Sequence, residues 1–251
     1  MRNLRLILAY DGTDFSGWQI QPGLATIQGT LALAIGRITG ENVLPQGSGR
    51  TDAGVHALGQ VATFTTESII PAANLVTALN DILPQAIRVM EATEVPLDFH
   101  ARKSARAKTY RYHIHRAAIC SPFLTRYVWH YPYPLDEDAI THAARQIEGE
   151  HDFTSFAATD PERGQENEGR SNLRRIFLSE WRREGDELVY EVRGNGFLHH
   201  MVRNLVGTFI LAGKGTIKPA DIRVILEAKS RSAAGATAPA SGLYLVGVEY
   251  D

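Results

Sequence analysis

At 251 residues, with 44% hydrophobic and 22% charged residues, the chain can bury a full core and is too apolar for disorder. A formal net charge of −2 excludes a global polycation, so any nucleic acid would have to be held by local patches. The lone Cys120 excludes an internal disulfide and a cysteine-built zinc site, which favours a reduced, cytoplasmic setting.

Leu4, Leu6 and Leu8 alternate with other residues and predict a first strand over Leu4–Tyr10. No charged n-region with an apolar h-region opens the chain, and no apolar run approaches the ~18 residues of a membrane span, so neither a signal peptide nor a membrane anchor is expected. Thr26 is placed to cap a helix whose apolar residues Ile27, Leu31, Ile35 and Ile38 recur at spacings of four and three. Strands are expected near Val43 and over Gln60–Phe64. Pro71 and Pro84 frame a helix over Ala72–Leu83, and a strand over Ile87–Ala92 completes a β-α-β-β-α-β series.

A second series follows. Tyr110–His115 and Val128–Tyr131 read as strands, and Asp136–Ile147 reads as a helix with acidic residues in its first turn. Strands over Arg175–Trp181 and Glu187–Arg193 precede a long helix, Leu198–Ala212. A short helix after Pro219 and a strand over Leu243–Tyr250 end the chain. The expected fold class is α+β: two similar β-α-β-β-α-β halves of ferredoxin- or RRM-like plan, residues 1–105 and 106–251, with sheets packed or fused around a central cleft. Two segments, Thr159–Gly169 and the small-residue run Ala233–Gly242, read as mobile surface loops.

The run Gly49-Arg50-Thr51-Asp52-Ala53-Gly54-Val55-His56 sets one carboxylate beside an arginine inside a glycine-framed turn. Glycine tolerates positive φ and lets the backbone approach a ligand closely, so Asp52 can be presented as a nucleophile or base. The same string also reads as an Asx-turn in which Asp52 bonds its own backbone. Arg50 projects to the side of Asp52 if the segment is extended, either toward a phosphate or a flipped-out nucleotide, or merely into solvent.

The helix Leu198–Ala212 is apolar around most of its circumference, and Arg203 falls on the remaining sector near His199 and Gly207. A guanidinium buried there needs a carboxylate partner; otherwise it must snorkel outward. On the strand Tyr110–His115, Tyr110, Tyr112 and Ile114 share one face and Arg111, His113 and His115 the other. From Asp98 to Asp136 no acidic residue intervenes, while Arg102, Lys103, Arg106, Lys108, Arg111, Arg116 and Arg126 are interleaved with tyrosines and histidines. Such a stretch suits phosphates and stacked bases, and equally suits a solvated strand edge guarded by charge. Gly47-Ser48-Gly49-Arg50 lacks the Gly-Lys-Ser/Thr of a P-loop, and His199-His200 lacks the spacing of a helical zinc site, so no metal is expected.

Six blocks in order resemble the tRNA pseudouridine synthase A family. They are Tyr10-Asp11-Gly12-Thr13 with Phe15-Ser16-Gly17-Trp18-Gln19; the Asp52 run; Asp98-Phe99-His100-Ala101-Arg102 with Tyr110-Arg111-Tyr112; His151-Asp152-Phe153-Thr154-Ser155-Phe156; Phe197-Leu198-His199-His200-Met201-Val202-Arg203-Asn204; and Gly242-Leu243-Tyr244-Leu245. The resemblance implies isomerisation of uridine to pseudouridine in the tRNA anticodon stem-loop, around positions 38 to 40, without cofactor. It implies that Asp52 is the catalytic aspartate, that Arg203 pairs with it, and that Tyr110 lies against the uracil. It further implies a homodimer whose tRNA spans both subunits. Arg50, Arg102, Lys103, Arg106 and Lys108 are the candidate RNA contacts. The rival readings are a non-catalytic RNA-binding module built on the basic stretch, and a small-molecule hydrolase with Asp52 as its base. A buried acid with an arginine and a tyrosine speaks against the first, since binding alone needs none. For the second, only His56 offers a further titratable group near Asp52.

Overall fold

In the computed structural model, whose described residues are 1–159 and 171–251, the alternating leucines form β1 (Arg2–Tyr10), with Leu4, Leu6 and Leu8 all buried. β1 runs antiparallel to both β3 (His56–Thr66) and β4 (Ile87–Val95). The first helix, α1 (Ile27–Thr39), starts where the Thr26 hydroxyl accepts the Gly29 N–H at 3.3 Å. It stops at Gly40, whose φ of 76° lies in the left-handed region that glycine reaches without strain. α2 (Ala72–Ile82) begins after Pro71 and packs on β4. The strand expected near Val43 forms three residues later as the two-residue β2 (Gln46–Gly47), paired with Thr63 and Ala62 of β3.

Two compact units result: Met1–Lys108 with Tyr244–Asp251, and Thr109–Leu243. The last strand, β10 (Leu243–Glu249), lies parallel to β3, with Tyr244 opposite His56 and Leu245 opposite Ala57. All of it beyond Leu243 belongs to the first unit, although chain order assigns it to the half 106–251. The first unit therefore carries a mixed sheet in the order β4-β1-β3-β10.

The second unit takes in most of β5 (Ala107–His115), followed by β6 (Trp129–His130), which pairs in parallel with it. α3 (Glu137–Arg145) is capped by Asp136, whose carboxylate accepts the Ala139 N–H at 2.9 Å. β8 (Leu173–Glu184) and β9 (Glu187–Gly194), both expected as strands, pair antiparallel, and the sheet order is β5-β9-β8-β7. The edge strand β7 (Gly149–Asp152) has no apolar alternation to announce it. α4 (Met201–Gly213) is buried along nearly its whole length, and α5 (Asp221–Ala228) follows Pro219. α3 and α4 approach closely because Gly213 has no side chain: a Cβ there would lie 2.6 Å from the Ile140 side chain.

The architecture is α+β, as expected, and its sheets are open and mixed. The expected loop Thr159–Gly169 lies, beyond Thr159, outside the described residues. The other expected loop does lack helix and strand over 234–239, but the expectation that it moves freely is corrected. The segment 233–242 is fastened to α4: Gly235 N–H donates to Thr208 Oγ1 at 2.9 Å, and Ala238 N–H donates to the Arg203 carbonyl at 3.1 Å. Its small residues serve close approach rather than mobility. A Cβ on Gly207 would fall 1.8 Å from the Ala236 carbonyl oxygen. Among the described residues, no helix is long and apolar enough to cross a membrane.

Candidate active site

Asp52 sits half-buried in the turn that leads into β3. Its carbonyl accepts the Val55 N–H at 3.1 Å, and Gly54 turns the chain at a φ of 76°. The block Tyr10–Trp18 braces this turn from one side. Trp18 N–H donates to the Thr51 carbonyl at 3.0 Å, and the Tyr10 and Thr51 hydroxyls share a hydrogen bond of 2.8 Å. Gly12 and Gly17 permit the approach: a Cβ on Gly12 would lie 2.0 Å from the Val55 carbonyl oxygen, and one on Gly17 would lie 2.7 Å from that of Thr51.

The other brace is Gln60 of β3, fully buried. Its amide oxygen accepts Ser48 Oγ at 2.7 Å and the Val61 N–H at 3.1 Å, and its amide nitrogen donates to the Gly49 carbonyl at 3.0 Å. Lys108 Nζ donates to the Ser48 carbonyl at 2.7 Å. The backbone is thus pinned at residues 48, 49 and 51, leaving Arg50 exposed and Asp52 presented just beyond it. Burial pushes the Tyr10 phenol up to about 12, so it stays neutral and its hydroxyl remains available to Thr51. His56, also buried, stacks on Tyr244 at 4.8 Å and accepts the Gly12 N–H on Nδ1 at 3.2 Å.

In the second unit the alternation along β5 is realised, with Tyr110, Tyr112 and Ile114 buried. The Tyr110 ring meets Phe197 edge-on, with centroids 4.9 Å apart. Tyr112 is fully buried and its hydroxyl donates to the Pro239 carbonyl at 2.7 Å. Burial drives its pKa far above the ordinary phenol value, so Tyr112 is a neutral structural group. α4 is entered through His200, whose φ of 59° is strained for a residue with a side chain, by about 1–2 kcal/mol. Arg203, half-buried on the first turn of α4, donates from Nε to the Ala238 carbonyl at 2.8 Å.

The basic stretch divides once partners from distant sequence arrive. Arg102 and Lys103 are exposed. Arg106, also exposed, is tied to Asp251 by bonds of 2.9 and 3.0 Å from Nε. Arg111 donates to Glu191 at 2.6 Å. Arg116 reaches the carbonyls of Tyr131 and Tyr133. Sequence reasoning missed Gln60, Phe197 and the segment 234–239. Only Gln60 left a signal, a long amide set between the apolar Ala57 and Val61-Ala62 of its strand.

The family model described as tRNA pseudouridine synthase matches residues 6–102 and 143–251, which include Arg50, Asp52, Arg102 and Arg203. Lys103, Arg106, Lys108 and Tyr110 fall between the matched stretches. A tRNA pseudouridine synthase A of Solibacter usitatus is 56% identical over 250 residues, covering 100% of both chains. That of Caldicellulosiruptor bescii is 46% identical, again with 100% of both chains covered. That of Halalkalibacterium halodurans is 46% identical over 244 residues, or 97% of this chain and 90% of the relative. With likeness of this depth along its whole length, the chain belongs to the tRNA pseudouridine synthase A family.

Proposed function

We propose that the protein isomerises uridine to pseudouridine in the anticodon arm of tRNA, around positions 38 to 40, as a cytoplasmic homodimer that needs no cofactor. The reaction breaks the bond from ribose C1′ to uracil N1 and makes one from C1′ to C5. The C5 proton leaves for solvent and N1 gains one. Asp52 supplies the carboxylate, as nucleophile toward ribose or ring or as base toward a ribose proton. Arg203 keeps that carboxylate charged while water is excluded, since burial alone would raise its pKa and a nearby cation lowers it. Tyr110 lies against the uracil, either stacking on it or handling the C5 proton. Arg50, Arg102, Lys103, Arg106 and Lys108 serve as contacts to the RNA.

One observation carries this reading. Full-length likeness to tRNA pseudouridine synthases A coincides with the presentation of Asp52 on a turn braced by Tyr10, Trp18, Gln60 and Lys108. A binding module has no use for an acid presented on a backbone braced so closely. The test uses tRNA transcripts labelled with tritium at uridine C5. The proposal expects tritium in water from transcripts with uridines at positions around 38 to 40, and none once cytidine replaces those uridines. Binding without tritium release would establish the non-catalytic module instead.

A further inference from the structure

We propose that Asn204, Arg231 and Thr237 form a latch whose function is to position Arg203, acting through the strap 234–239. The proposal rests on the reading of Arg203 as the residue that keeps Asp52 charged.

The strap lies directly on the α4 backbone. Gly207 admits the Ala236 carbonyl where a Cβ would sit, and a Cβ on Gly235 would lie 2.8 Å from the Gly207 carbonyl oxygen. Two neighbouring strap carbonyls then receive side chains. Ala238 takes Arg203 Nε at 2.8 Å, and Pro239 takes the Tyr112 hydroxyl at 2.7 Å. With Ala238 N–H donating back to the Arg203 carbonyl at 3.1 Å, residues 203 and 238 are joined at both main chain and side chain. A guanidinium is planar, so fixing Nε fixes the plane in which both Nη groups point.

What holds the strap there is a half-buried polar cluster built on the next residue of α4. Asn204 is fully buried. Its amide oxygen accepts Thr237 Oγ1 at 2.7 Å and Arg231 Nη2 at 3.0 Å, and its nitrogen donates to the Phe156 carbonyl at 2.7 Å. Arg231 Nη2 also donates to Thr237 Oγ1 at 3.1 Å, which closes the triangle. Thr237 directly precedes Ala238, so the cluster sets the height and direction of the carbonyl that Arg203 reads. A packed loop needs no such arrangement; apolar residues of similar shape would pin it as well. The polar triangle adds direction, because hydrogen bonds have angular preferences and dispersion contacts do not.

The cluster therefore acts on orientation, and its loss should slow the chemical step without weakening tRNA binding. The experiment is a double-mutant cycle read by single-turnover tritium release from C5-labelled tRNA, with tRNA Kd and melting temperature measured for every variant. Thr237→Val keeps the shape and removes the hydroxyl. It should lower the rate roughly tenfold at unchanged Kd, and Thr237→Ser should restore it. Arg203→Lys has no Nε–H for Ala238, so in that background Thr237→Val should cause no further loss. Arg231→Lys provides an independent second variant with the same expected pattern. Equal losses in both backgrounds, or no loss with Thr237→Val, would overturn the latch. So would a lower melting temperature with an unchanged rate, which marks a purely structural cluster. If Arg203→Lys keeps the wild-type rate, guanidinium orientation is irrelevant and the latch alone is overturned; the reading of Arg203 falls only if Arg203→Met, which removes the charge, also keeps that rate.

Discussion

At the scale of residues, Arg203 is proposed to keep the Asp52 carboxylate charged. If its purpose is to hold Asp52 ionised, Arg203→Met should reduce the isomerisation rate by orders of magnitude while tRNA affinity stays near wild type, because no phosphate contact is lost. Rates and filter-binding affinities measured together check this; a pH–rate profile identical to wild type would assign the arginine another role. Tyr10 makes a prediction of the opposite sort, about stability alone. Its folded pKa of about 12 stands above the ordinary phenol value of 10, so its contribution is intact below pH 10 and is lost as the pH climbs toward 12. Denaturant unfolding at pH 9 and pH 11.5 should show a steeper alkaline loss for wild type than for Tyr10→Phe. Parallel losses would show that the phenol ionises in place without cost.

At the scale of elements, close approaches of backbone organise both candidate site regions. Gly12→Ala drives a Cβ to 2.0 Å from the Val55 carbonyl oxygen, where the obstacle is main chain and cannot swing aside. The variant should lose about 1–3 kcal/mol of stability and most of its activity, because the Asp52 turn must move. A melting temperature and rate unchanged by Gly12→Ala would show that the turn is not braced by this contact. The elements themselves were largely legible. Thr26 before Ile27, the prolines around α2 and the acidic start of α3 are local signals, read within a few residues of where they act. β7 was not legible, because an edge strand of polar residues has no periodicity to show. The strap misled for a different reason: Gly235 and its small neighbours look the same whether a segment is loose or pressed against a helix. Only the opposing Gly207, nearly thirty positions earlier, distinguishes the two. The turn at Asp52, in contrast, was legible because the glycine that shapes it, Gly54, stands within the same short run.

For the molecule as a whole, a net charge of −2 must coexist with binding a polyanion. The basic stretch 102–116 is not one surface, since Arg106 is engaged by Asp251 and Arg111 by Glu191, acids that sequence proximity could not reveal. Arg102 and Lys103, both exposed, are proposed to make the larger share of phosphate contact. With about three contacts in total, log K for tRNA should fall by roughly two to three per decade of salt. Neutralising Arg102 or Lys103 should flatten that slope by about one each, and Arg111→Gln should leave it unchanged. An unaltered slope in the Arg102 and Lys103 variants would move the RNA path elsewhere. The central claim is that this chain performs the isomerisation with the Asp52 carboxylate, and Asp52→Asn tests it most directly by retaining the shape and removing the charge. Measured by single-turnover tritium release with tRNA affinity alongside, the variant is predicted to fold, to bind tRNA as wild type does and to release no tritium. Release within tenfold of the wild-type rate would contradict the account.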